Sequence, residues 1–182
     1  MAETNVLPIA RMIRTRNRTR TGKRTSTPAK KAAAYFAFGP SLQEQVERRQ
    51  RGEWIGPGGE RHSHEAIMEW VTDQARRHEY TFQAMLSVPE GRMTAVDYAQ
   101  AIEQGGHIAD WRLVVHDDTA HSHAHVLFFR DKRLEKEHFI RWHNRVRQEL
   151  AALEQKRLAG QAIEPEQAAE QMEPVRDGGL EL

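Results

Sequence analysis

The chain of 182 residues contains no cysteine, which excludes disulfides, thiolate metal sites and cysteine nucleophiles together. That composition suits a reducing, cytoplasmic setting. No stretch approaches the ~18 consecutive apolar residues of a membrane span, and the start has no apolar signal-peptide core. Hydrophobic residues make up 38% and mean hydropathy is −0.77, so the expected core is modest and long polar segments lie outside it. Tyrosine is also scarce, with three residues in all (Tyr35, Tyr80 and Tyr98).

Net charge is near neutral at +1, but its distribution is not. Residues 1–31 hold nine bases against the single acid Glu3. Eight of them, Arg14, Arg16, Arg18, Arg20, Lys23, Arg24, Lys30 and Lys31, are candidate contacts to a phosphate backbone, where each neutralised phosphate releases counterions. From residue 158 onward six acids face Arg176 alone. The expected organisation is a basic flexible arm over 1–27, a folded domain over 28–158 and an acidic, disordered tail over 159–182.

Within the domain, Pro28 opens a helix that Gly39-Pro40 stops, and a short helix is expected over Ser41–Arg51. The Gly52–Gly59 run reads as a turn-rich loop anchored by Trp54 and Ile55, followed by a helix capped by Ser63. Tyr80–Val88 alternates apolar and polar residues with the period of a half-buried strand. A helix over Thr94–Gln104, a strand over Trp111–His116, a returning strand over Ser122–Phe129 and a helix over Leu134–Leu158 complete the chain. The expected fold class is α+β: a central antiparallel sheet of about five strands with helices on one face.

The chemistry concentrates in His116-Asp117-Asp118-Thr119-Ala120-His121-Ser122-His123-Ala124-His125. Residues two apart on a strand project to one face, so His123 and His125 can address a single cation. A short connection brings His116, at the end of the preceding strand, beside His123. Three imidazoles then form an open site with positions left for water or a phosphate oxygen. His121 competes for the third position, and Asp117 or Asp118 can accept the second ring N–H of a ligand. A second His-x-His, His62-Ser63-His64, begins a helix, where neighbouring side chains diverge, and is read as a decoy.

This histidine motif, running into Val126-Leu127-Phe128, resembles that of HUH endonucleases, specifically mobilisation relaxases. The helix bearing Lys30-Lys31-Ala32-Ala33-Ala34-Tyr35 resembles their N-terminal tyrosine helix, and Met85-Leu86-Ser87 a strand end they share. The similarity extends over roughly residues 28–156. Two positions depart from the pattern: Phe129, where the family often has Asn, and Phe36-Ala37-Phe38, where it often has Arg after the tyrosine. None of the three tyrosines follows the histidines, which matches relaxases rather than the replication initiators and small transposases of the superfamily.

The resemblance implies a palm-like HUH fold and a site-specific single-strand nickase and strand transferase of the bacterial cytoplasm. Tyr35 would be the nucleophile, forming a 5′-phosphotyrosine; His116, His123 and His125 would hold the metal; and Asp118 is the named candidate base beside Glu90 and a metal-bound hydroxide. The implied partners are single-stranded DNA with an origin-of-transfer-like site and mobilisation accessory proteins. The implied cofactor is Mg²⁺ or Mn²⁺, while an all-imidazole set also suits Zn²⁺, Ni²⁺ or Co²⁺. Two alternatives remain open on the sequence: a non-catalytic DNA-binding accessory protein of the same fold, and an unrelated His-triad zinc hydrolase.

Overall fold

A computed structural model describes residues 8–39, 50–90, 92–117 and 121–170, with side chains through residue 160. In chain order the elements are β1 (Ile9–Arg16), α1 (Thr27–Phe38), β2 (Trp54–Ile55), β3 (Arg61–His62), α2 (His64–Arg77), β4 (Tyr80–Ser87), α3 (Ala95–Gly105), β5 (Trp111–His116), β6 (His123–Arg130) and α4 (Lys136–Glu170). The strands form one six-stranded sheet in the order β1-β4-β6-β5-β2-β3, and every neighbouring pair is antiparallel. The class is α+β, with one strand more than expected.

Helices cover both faces of this sheet, which corrects the single covered face expected from the sequence. The cause is visible along β6. Ala124, Val126 and Phe128 turn to one face and join Tyr98 and Ile102 of α3 and Trp142, Val146 and Leu150 of α4. Leu127 and Phe129 turn to the other and join Phe36 of α1 and Ile67 and Val71 of α2. A strand buried on both sides reads as a continuous apolar run, as Val126–Phe129 does. Each large aliphatic or aromatic side chain so buried contributes roughly 1.5–3 kcal/mol.

Local signals set the element ends. Ser63 accepts a hydrogen bond from the Ala66 amide at 3.1 Å and starts α2. Thr94 and Asp97 form a reciprocal capping box at the head of α3. Gly106, at φ +66°, ends that helix in a conformation that favours glycine.

The N-terminal region is not a free arm. Ile9–Arg16 pairs along its length with β4, from Ile9 opposite Ser87 to Arg16 opposite Tyr80. The buried Asn17 then ties the chain down: its amide donates to the Glu79 carbonyl at 2.8 Å, its side-chain amide to the His78 carbonyl at 3.0 Å, and the Thr81 hydroxyl donates back to it at 2.6 Å. Without this strand, β4 would be an unpaired edge. At the other end, α4 continues past Leu158 to Glu170, because the Ala-, Gln- and Glu-rich run beyond 158 has high helix propensity. The helix expected over Ser41–Arg51 lies almost wholly outside the described residues, as do 171–182.

Candidate metal centre

Three side chains converge at one end of the central hairpin. His116 closes β5 directly opposite His123, which opens β6, and His125 lies one pleat further along the same face. Their ligand nitrogens all lie within 4.8 Å of one another. Among the described residues this is the only group of three or more histidine or carboxylate side chains close enough to share an ion. The triad can hold a metal ion. His62 and His64, split between β3 and the start of α2, do not join such a group.

Hydrogen bonding selects the ligand atoms. The buried His116 has Nε2 2.6 Å from the Phe36 carbonyl, which can only accept, so Nε2 carries the proton and Nδ1 keeps its lone pair. His123 likewise donates from Nδ1 to the His121 carbonyl at 3.2 Å, leaving Nε2 bare. These two lone-pair nitrogens face each other 3.2 Å apart. Such a pair repels unless a cation lies between, and two imidazoles on a tetrahedral metal stand roughly 3.3 Å apart given metal–nitrogen bonds of 2.0–2.1 Å. The donor geometry therefore fits a metal. Burial, reinforced by neighbouring His116 and His123, pushes His125 down to about 3, so it is a neutral ligand at physiological pH.

The partners that orient these rings correct one expectation. The acceptors for His116 and His123 are backbone carbonyls, whereas Asp117 lines a cleft that includes Ile55 and Met93, members of the core on the opposite face of the sheet. His121 likewise contributes its carbonyl rather than joining the ligand group. Asp118 lies outside the described residues.

Helix α1 forms the wall over the triad. The Phe36 ring stacks on His125 with centroids 4.3 Å apart and planes 21° apart. Tyr35 stands beside it, 46% exposed, its ring edge-on to His125 at 6.2 Å. The other tyrosines are elsewhere. Tyr98 is fully buried in the opposite core, where it donates to the Ser122 carbonyl at 2.7 Å. Tyr80 opposes Arg16 at the far end of β4 and lies under the Arg14 guanidinium.

Phe36 is the site residue that sequence reasoning missed. It supplies both a stacking ring and the carbonyl that orients His116. The two departures from the relaxase pattern thus have structural duties here, since Phe129 packs edge-on against Trp70 at 5.2 Å in the core behind the site.

The basic residues named as DNA contacts are distributed differently from the expectation. Arg16, Arg18 and Arg24 converge on Glu79 at 2.6, 2.9 and 3.1 Å. Their guanidiniums hold that carboxyl below its usual range, Arg16 most of all. Arg20 and Lys23 are exposed on the following turn, and Lys30 and Lys31 lie on α1. Glu79 precedes Tyr80, which sits at the opposite end of β4 from Ser87, the partner of His123. The cluster is therefore at the other end of the sheet from the triad.

No family model, curated protein or solved structure matches this chain. Among the described residues, no helix is long and apolar enough to cross a membrane.

Proposed function

We propose that this protein is a metal-dependent, site-specific single-strand DNA nickase and strand transferase of the mobilisation-relaxase kind, with Tyr35 as nucleophile. One juxtaposition carries the reading: a half-exposed tyrosine stands edge-on to an imidazole of a metal-competent histidine triad. A nucleophile must reach solvent-borne substrate and sit beside charge-neutralising groups, and of the three tyrosines only Tyr35 meets both conditions.

Tyr35 Oη attacks the scissile phosphorus, and the bond from phosphorus to the 3′ oxygen of the upstream strand breaks. That oxygen leaves as a 3′-hydroxyl after gaining a proton, while the 5′-phosphate remains esterified to Tyr35. The ester conserves the energy of the broken bond, so a 3′-hydroxyl can reverse the step without a nucleotide cofactor. A divalent ion held by His116 Nδ1, His123 Nε2 and His125 supplies charge neutralisation at a non-bridging phosphate oxygen. Phe36 fixes the ring planes of His125 and His116, so the ligands need little reorganisation. Asp118 is the proposed acceptor for the phenolic proton. Mg²⁺ or Mn²⁺ is favoured by abundance, whereas the imidazole set binds Zn²⁺, Ni²⁺ and Co²⁺ more tightly than Mn²⁺. The proposed setting is the bacterial cytoplasm, on an origin-of-transfer-like single strand with mobilisation accessory proteins.

The test uses end-labelled single-stranded DNA and Mn²⁺, with products separated on a denaturing gel. The native protein should yield a covalent adduct and Tyr35→Phe none. Tyr80→Phe should retain it. Absence of adduct alongside retained DNA binding would assign the chain as an accessory protein. Hydrolysis that survives in Tyr35→Phe would assign a zinc hydrolase, whose attacking group is water.

A further inference from the structure

Three clefts adjoin one another along the side of the molecule away from the Glu79 cluster. The first, about 540 Å³, is lined by Arg92, Asp97, Lys156 and Arg157 between α3 and α4. The second, about 660 Å³, shares Arg92 and continues to Arg51, Arg61 and Asp117. The third, about 400 Å³, shares Arg51 and Arg61 and ends at His62. Together they make a concave path whose middle section reaches Asp117, the residue that follows the metal ligand His116.

Charge along this path is net positive, with five bases against Glu53, Asp97 and Asp117. Arg157 is held on Asp97 at 2.8 Å and Arg61 on Glu53 at 3.3 Å. Arg51, Arg92 and Lys156 then face the single acid Asp117. The floor of the middle cleft is aliphatic: Ile55 and Met93 are buried beneath it, and Val96 is 67% exposed at its rim. A cationic rim over an apolar floor suits a strand that offers phosphates on one side and base faces on the other.

The N-terminal basic residues lack these properties. Three of their guanidiniums neutralise Glu79, and the cluster stands at the end of the sheet remote from the triad.

We propose that single-stranded nucleic acid is bound along this Lys156–Arg92–Arg51 path and is delivered by it to the triad, and that the N-terminal turn contributes little affinity. The assignment rests on the nickase reading above, but its test does not require cleavage. Affinity for a fluorescein-labelled dT12 strand is measured by anisotropy in EDTA, with thermal melting as a check on folding. Arg92→Glu with Lys156→Glu should weaken binding at least tenfold. Arg92→Gln with Lys156→Gln should weaken it less and lower the salt slope by ~1.4, from ~0.7 for each of two phosphate contacts. Arg20→Glu with Lys23→Glu, on the N-terminal turn, should change affinity less than threefold. If the N-terminal pair weakens binding as much as the cleft pair, or if the glutamine pair leaves the salt slope unchanged, the path is wrong. Adduct formation by the native protein is scored separately. An adduct without dependence on the cleft overturns the path and spares the nickase reading. Dependence on the cleft without an adduct does the reverse.

Discussion

Tyr35 and Tyr98 are the same side chain in opposite surroundings, and the contrast separates chemistry from packing. Tyr98 is fully buried and donates to the Ser122 carbonyl, and burial pushes its phenol up to about 12. A nucleophile needs the opposite shift. The raised value also links stability to alkali: below pH 10 the phenol is protonated whether folded or unfolded. Between pH 10 and 12 the unfolded chain gives up the proton while the folded chain holds it, so stability falls as pH rises. A shift of two units corresponds to about 2–3 kcal/mol. Urea melts at pH 8 and pH 11 should differ by part of that amount in the native protein. In Tyr98→Phe the difference should shrink, on a baseline lowered by roughly 1 kcal/mol for the lost hydrogen bond. An unchanged pH dependence in Tyr98→Phe would place the titrating group elsewhere. At this scale the histidines were legible because strand period and short connection fix their geometry. Phe36 was not, because its carbonyl acts on His116 across 80 residues of sequence.

Elements explain which parts of the fold could be read in advance. The alternation of β4, the β5–β6 hairpin and the Ser63 and Thr94 caps are local signals, and each appears where the local chemistry requires it. β1 carried no such signal. Its residues Arg11, Arg14 and Arg16 interrupt any apolar alternation, and pairing with β4 is what makes it a strand. The balance of its charge was equally hidden, since Arg18 meets Glu79 across 61 positions. Close packing between α3 and α4 gives a prediction at this scale. A Cβ built on Gly105 would lie 2.6 Å from Val146 and 2.8 Å from Trp142, both buried. Alanine gains about 0.5–1 kcal/mol in helix propensity, but forced displacement of a packed core costs about 1–3 kcal/mol. Gly105→Ala should therefore lower the urea midpoint with the m-value unchanged. A rise in midpoint would mean that the two helices separate easily.

At the scale of the whole molecule, the triad is a joint between layers. Two ligands come from β6 and one from β5, while α1 clasps them through the Phe36 ring and carbonyl. Removing residues 1–24 would strip β1 from the sheet edge, so truncation reports on folding as much as on DNA binding. Metal linkage is the cleaner probe of the joint. An ion bound only by the folded chain stabilises it by about 2.7 kcal/mol at a hundredfold excess over Kd, which for a domain of this size raises Tm by roughly 5–10 °C. Zn²⁺ should give the larger shift and Mn²⁺ a smaller one, following their affinities for imidazole. The double variant His123→Ala, His125→Ala should lose the shift with both ions. His62→Asn should keep it, because His62 belongs to no ligand group among the described residues. A shift that survives the double variant but disappears in His62→Asn would move the metal centre to β3 and leave Tyr35 with no cation beside it.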